Sequence, residues 1–245
     1  MRQISLAICN YESANEHFPP AYIADEDGNP MHSWRVLILP YLGEEALFEQ
    51  YDFDEPWDGP NNSKLVNEIQ SGVFNGFSRE PFSGLTGFKL VTGPETAFEK
   101  DQTVGYKALG AGSTNTICLV HDSSKPVNWM SPEDVDIDQA VKMFDHENRK
   151  AFASKVVENK FEKTTYYYSC VALFDGSVQD AGLLKDPSKL REHFTVSSSR
   201  EKLLHEIEFD LPRYDHENKP EGYILVAINL ALAFLPTFWF RKKKR

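Results

Sequence analysis

The chain has 245 residues, 41% hydrophobic and 26% charged, with 26 basic against 37 acidic side chains and a net charge of −11. That composition is globular and excludes collagen-like, low-complexity and wholly disordered chains. The charge is unevenly placed: residues 223–245 hold five basic and no acidic side chains, so residues 1–222 carry 21 basic against 37 acidic ones, a net of −16. A surface that acidic repels a phosphate backbone, which argues against nucleic acid as a partner.

Residues 3–11 place Ile4, Ala7, Ile8 and Tyr11 on one stripe at helical spacing. This helix is under way where the sequence starts, with no signal peptide before it. Phe18-Pro19-Pro20 ends it, because proline cannot continue a helix and disfavours helical backbone in the residue before it. Residues 25–30 (DEDGNP) read as a turn-rich loop. Residues 33–51 read as mostly helical, since Pro40 argues against a central strand. The aromatic, acidic segment 51–62 is a loop, after which Asn62 or Ser63 caps a helix over 64–70.

From residue 72 onward glycines multiply and the periodicity shortens. Strands are predicted at 88–92, 103–108, 116–121 and 165–174. The last runs into Asp175-Gly176, the signal of a two-residue type I′ turn, with a return strand from Ser177. Helices are predicted at 136–144 and at 187–194, the second with Pro187 in its first turn. The fold class is therefore α+β, with helices packed on an antiparallel sheet. The large rings of Trp34, Tyr41 and Trp57 are expected in the core.

Residues 201–222 are polar and read as a linker. Residues 223–240 are uncharged over 18 positions. As a helix they would reach about 27 Å, close to the hydrocarbon thickness of a bilayer. Phe238-Trp239-Phe240 and the RKKKR tail at 241–245 supply the aromatic belt and positive flank of a membrane anchor, with the tail on the cytoplasmic side and the bilayer as partner.

Catalytic signatures are sparse. The seven histidines show no HxH, HxxxH or HExxH spacing, and no GxSxG elbow, P-loop or GxGxxG fingerprint occurs. Cys9, Cys118 and Cys170 form no CxxC pair; the bland reading is buried apolar thiols, with a Cys118–Cys170 bridge as the alternative in an oxidising compartment. Two acidic groups supply the carboxylates calcium favours: Asp52, Asp54, Glu55 and Asp58 in one loop, and Glu133, Asp134, Asp136 and Asp138 in another. Neither has EF-hand spacing, and solvated surface carboxylates are the competing reading of both.

Six strings occur in order: NYESANEHFPPAY (10–22), HSWRVLILPYL (32–42), YDFDEPWDGPNN (51–62), GSTNTICLV (112–120), VNWMSPEDVDID (127–138) and FDGSV (174–178). Together they resemble the planctomycete-type family of prepilin-like proteins of unknown function, related to G-type pseudopilins of type II secretion. KLREHFT (189–195) fits the short helix closing such domains. The resemblance covers about residues 1–200 and implies a pilin-like head outside the cytoplasmic membrane, with envelope proteins or pilin-like subunits as partners. It supplies no catalytic residues. The sequence departs from the family in starting inside the equivalent N-terminal helix, in carrying its apolar segment at the C-terminus, and in having EKTTYYYSC before the FDGSV string. The expectation is a membrane-anchored, non-enzymatic structural or interaction protein; the alternative is a calcium- or ligand-binding surface module using Asp52, Asp54 and Asp58 or Glu133, Asp134 and Asp136.

Overall fold

The stripe of Ile4, Ala7 and Ile8 becomes the inward face of α1 (Arg2–Asn15), where all three are buried. Glu16 closes the helix in the left-handed region at φ 64°, and Phe18-Pro19-Pro20 turns the chain away. The computed structural model describes residues 1–76, 82–99, 102–109, 112–144, 155–159, 164–168, 170–180 and 190–196. The linker, the apolar segment 223–240, the basic tail and the start of the 187–194 helix lie outside the described residues. Among the described residues no helix is long and apolar enough to cross a membrane.

After α1, the DEDGNP turn joins two short antiparallel strands, β1 (Tyr22–Ala24) and β2 (Pro30–Ser33). Asp25 builds that turn by accepting hydrogen bonds from the backbone N–H of Asp27 and Asn29. Residues 33–51 are helical as expected, but in pieces: α2 (Trp34–Leu37), a 3₁₀ turn over Leu39–Leu42, and α3 (Glu45–Phe48). Ser33 caps α2 by accepting from Arg35 N–H, and Pro40 falls in the first turn of the 3₁₀ segment, where its missing donor costs nothing. The helix expected at 64–70 is instead a 3₁₀ segment, Asn62–Asn67. Asn62 does not cap it. Its amide donates to the carbonyls of Asp52, Glu55 and Pro56, so the residue holds the preceding loop closed.

Beyond this lie β3 (Leu85–Thr86), β4 (Phe88–Thr92), α4 (Tyr106–Leu109), β5 (Ile117–His121), β6 (Val127–Asn128), β7 (Val135–Asp136) and α5 (Ile137–Met143). Then follow β8 (Lys155–Asn159), β9 (Thr164–Tyr168), β10 (Cys170–Leu173), β11 (Val178–Asp180) and α6 (Leu190–Phe194). The main sheet has the order β11-β10-β5-β4-β7. Its pairs are antiparallel except β4 with β7, which run parallel. The fold is mixed α+β, with an N-terminal helix on a largely antiparallel sheet.

Both faces of this sheet are covered. α1, Phe18, Trp34, Phe88, Leu90, Cys118, Ala172 and Phe174 form one core. Val91, Ile117, Val120, Val171 and Leu173 pack with Ile137, Ala140 and Met143 of α5 and with Leu190 and Phe194 of α6 in the other. A strand covered on both sides reads as a continuous apolar run, and all five residues of β5 are buried.

Several expectations change. Residues 103–108 do not form a strand: Phe18 N–H donates to Val104 C=O, and Tyr106 then begins α4 against Glu12 of α1. The strand expected over 165–174 is two strands with different partners, β9 with β8 and β10 with β5 and β11. The Asp175-Gly176 turn exists and Gly176 has φ 82°. Its loop, however, is 174–176, closed by Gly176 N–H to Leu173 C=O and by Leu173 N–H to Ser177 C=O. That is a three-residue loop ending in a left-handed residue, which replaces the expected two-residue type I′ turn. Phe174 decides this: its ring lies 4.5 Å from Phe18 and 5.6 Å from Phe98, and its N–H bonds to Thr116, so it stays in the core beyond the strand. Trp34 is fully buried, whereas Tyr41 and Trp57 are half-buried.

Candidate functional site

Arg35 sits within the apolar run of residues 34–39 and is fully buried. A buried guanidinium needs every donor engaged and a counter-charge. Its Nε and Nη2 donate to Phe88 C=O at 3.0 and 2.7 Å, and its Nη1 donates to Ser33 Oγ and Ser131 C=O, both at 3.0 Å. Nη2 also donates to Glu133 C=O at 3.3 Å and to Asp134 Oδ1 at 2.8 Å. The guanidinium carbon lies 4.7 Å from the centre of the Trp34 ring. One side chain thereby ties α2 to β4 and to the 131–134 turn.

Asp134 is the counter-ion, and its two oxygens differ. Oδ1 accepts from Arg35, from Leu90 N–H at 2.9 Å and from Trp34 Nε1 at 3.1 Å. Oδ2 is sealed from solvent and has no hydrogen-bond partner. Burial pushes the Asp134 carboxyl up to about 6, against the opposing pull of Arg35, the Leu90 and Trp34 donors and Lys89. The same burial pushes the Arg35 guanidinium below its ordinary value.

Beside this hub lies a cleft of about 230 Å³ lined by Tyr22, Thr92, Gly93, Pro94, Glu99, Pro132 and Asp134. Its walls come from β1, from the end of β4 and from the turn before β7. Thr92 Oγ1 is engaged with Val135 C=O at 3.2 Å. Asp134 lines this cleft, but its side chain is buried in the pair with Arg35, so Glu99 is the other acidic residue of the lining.

A second buried ion pair lies along β4. Lys89 Nζ donates to Asp122 Oδ2 at 3.1 Å and to Lys125 C=O at 2.8 Å. His121, packed edge-on to Phe88 at 4.7 Å, is held down to about 4, chiefly by burial.

The residues proposed for calcium are placed apart in function. Asp134 belongs to the buried ion pair, Asp136 caps α5 by accepting from Gln139 N–H, and Glu133 pairs with Lys125 at the surface. In the other loop, Asp52 accepts from Asp54 N–H and Glu55 accepts from the N–H groups of Asn61 and Asn62. Asp54 and Asp58 are exposed. Among the described residues no three His, Cys, Asp or Glu side chains gather as a metal-holding group.

Cys9 and Cys118 are free thiols. Strand register separates the pair considered above: Val171 faces Val120 and Ala172 faces Leu119, which sets Cys118 and Cys170 about three residues apart along the strands. At about 3.3 Å per residue that is roughly 10 Å, beyond disulfide reach.

The N-terminal part of this arrangement has a match among known families. Residues 1–73 match the family SBP_bac_10, described as "Protein of unknown function (DUF1559)". The DUF1559 match spans α1, the β1–β2 hairpin, α2, α3 and the 51–62 loop. It therefore includes Arg35 and stops before Asp134. No curated protein and no solved structure matches the chain.

Sequence reasoning named Asp134 but assigned it to a surface cluster, and it passed over Arg35. The available signal was Arg35 itself: a lone cation inside an apolar run demands a buried partner.

Proposed function

We propose that the chain is a membrane-anchored, non-enzymatic structural or interaction protein, with a pilin-like head outside the cytoplasm. The observation that carries this reading is the seating of α1 along the sheet: Ile4, Ala7 and Ile8 are buried, and Ser5 Oγ donates to Leu173 C=O at 3.0 Å. An N-terminal helix packed on an antiparallel sheet is the arrangement implied by the prepilin-like resemblance. The DUF1559 match covers the same helix. The uncharged run 223–240, followed by five cations, supplies the anchor, since moving cations outward against the membrane potential costs about 2.3 kcal/mol per charge per 100 mV. Partners are then envelope proteins or pilin-like subunits.

Protease added to intact spheroplasts should digest the head and leave the tail membrane-bound. Full protection of the head defeats the external placement, and recovery of the whole chain in the soluble fraction defeats the anchor. Millimolar calcium separates the alternative of a calcium-binding module. The expected result is an unchanged melting temperature, because a ligand that binds only the native state must raise it.

A further inference from the structure

The cleft beside the Arg35–Asp134 pair holds a charge that its surroundings leave unmatched. In this part of the fold, acidic side chains come with their own cations: Asp122 with Lys89, Glu133 with Lys125 and Asp134 with Arg35. Glu99 is the exception, since its carboxylate has no hydrogen bond or ion pair among the described residues. The Tyr22 hydroxyl, in the same lining, is likewise uncommitted among the described residues.

The rest of the lining restricts what could answer that charge. Pro94 and Pro132 have no N–H to offer, and the Thr92 hydroxyl is spent on Val135 C=O. An anion would find few donors here, whereas a cation finds a free carboxylate beside apolar proline and tyrosine surface. The cleft, about 230 Å³, is smaller than the sites of roughly 300–1,000 Å³ that enclose small-molecule ligands. It suits one extended side chain, whose methylenes lie on apolar surface while its charged head meets the carboxylate. Arginine fits better than lysine, because a planar guanidinium stacks on an aromatic face and donates two parallel hydrogen bonds to one carboxylate. Residues 1–222 carry 21 basic against 37 acidic side chains, a net of −16, which draws a cationic partner toward this surface.

We propose that the cleft is a docking socket for one arginine side chain of a partner protein, with Glu99 as the anchoring acceptor, Tyr22 as the stacking ring and Pro94 and Pro132 as walls along the stem. The wall on the Pro132 side is fixed in advance. Asp134, two residues on, is tied to Arg35, Leu90 N–H and Trp34 Nε1, and the Ser131 C=O accepts from Arg35. A preformed socket needs little ordering when the side chain enters. The inference concerns the chemistry of the partner and holds whichever side of a membrane the head occupies.

Titration of the nitrogen-15-labelled full chain, in mild detergent, with the blocked pentapeptide Ala-Ala-Arg-Ala-Ala tests this by amide chemical shifts. The amides of Tyr22, Gly93 and Glu99 should shift, while those of Leu119 and Ala172, deep in the sheet, stay in place. The same peptide with citrulline for arginine keeps the shape without the charge, and should bind about tenfold more weakly. Glu99→Gln should weaken binding of the arginine peptide to a similar degree. Equal binding of the two peptides overturns the proposal, as do shifts retained in full by Glu99→Gln or no shift at millimolar peptide. Cleft amides that move when the protein alone is diluted assign the cleft to a second copy. Amides that move when residues 241–245 are replaced by serine assign it to the basic tail of the chain itself, and either result also overturns the proposal. The citrulline comparison uses the unaltered chain, so it decides even where Glu99→Gln fails to fold.

Discussion

Trp34 combines three jobs in one side chain. It is fully buried, its indole N–H donates to Asp134, and its ring lies against the Arg35 guanidinium. Trp34→Ala should therefore cost about 3–5 kcal/mol, measured by denaturant titration. An unchanged midpoint would show that the aromatic core contributes nothing. Trp57, half-buried in its loop, should cost clearly less on the same substitution. Gly176 is constrained in a different way: its φ of 82° resists any β-carbon, and an added one would come within 2.9 Å of Leu6 Cδ2. Leu6 is exposed and can move, so the backbone angle carries most of the penalty. Gly176→Val should destabilise by about 1–3 kcal/mol, and Gly176→Asn by distinctly less, because asparagine tolerates left-handed backbone. Equal losses in the two variants would point to the side-chain clash instead.

At the scale of elements, short pieces are held by side-chain-to-backbone bonds rather than by helix or strand propensity. α2, α3 and α4 are each four residues long, far below the length at which an isolated helix is stable. Glu44, buried at the start of α3, accepts from Gln70 N–H and Ser71 N–H and so pins the chain after the 3₁₀ segment. The 51–62 loop uses Glu55 and Asn62 for its own backbone, which leaves its acidity exposed but its geometry fixed from within. α5 rests on Asp136, whose carboxylate accepts from Gln139 N–H at 2.9 Å. Asp136→Ala should lower the urea midpoint by an amount equivalent to about 1 kcal/mol with an unchanged m-value. A neutral result would mean that the packing of Ile137, Ala140 and Met143 alone secures the helix.

For the whole molecule, the buried ionisable groups set opposite pH trends. His121 is held at about 4 in the folded chain, below its ordinary 6.5. The unfolded chain then takes up a proton that the folded chain refuses, so the His121 contribution is intact above the ordinary value and is lost on acidification through the interval. His32, shifted down by burial, acts in the same direction. Asp134, raised to about 6, acts in the opposite one, gaining stability as pH falls. In His121→Gln the difference from the unaltered chain should shift in the variant's favour by about 1.4 kcal/mol per pH unit as the solution is acidified across the His121 interval. A difference independent of pH would show that His121 titrates normally in the folded protein.

What was legible in the sequence was whatever depends on neighbours along the chain. The α1 stripe, the proline stop after it, the helical character of 33–51, strands β4 and β5, the α5 segment, and the positive φ at Gly176 all follow from local periodicity and backbone chemistry. The α+β class follows from their order. Tertiary structure decided what depends on residues far apart. Register separated Cys118 from Cys170, the pull of Phe18 and Phe98 on Phe174 lengthened the hairpin loop, and the end of α1 displaced the expected strand at 103–108 with α4. The pairing of Arg35 with Asp134 spans 99 positions. Composition marks such residues as surface charges, and only the fold, by removing water from both, makes them a core ion pair with one oxygen left unbonded.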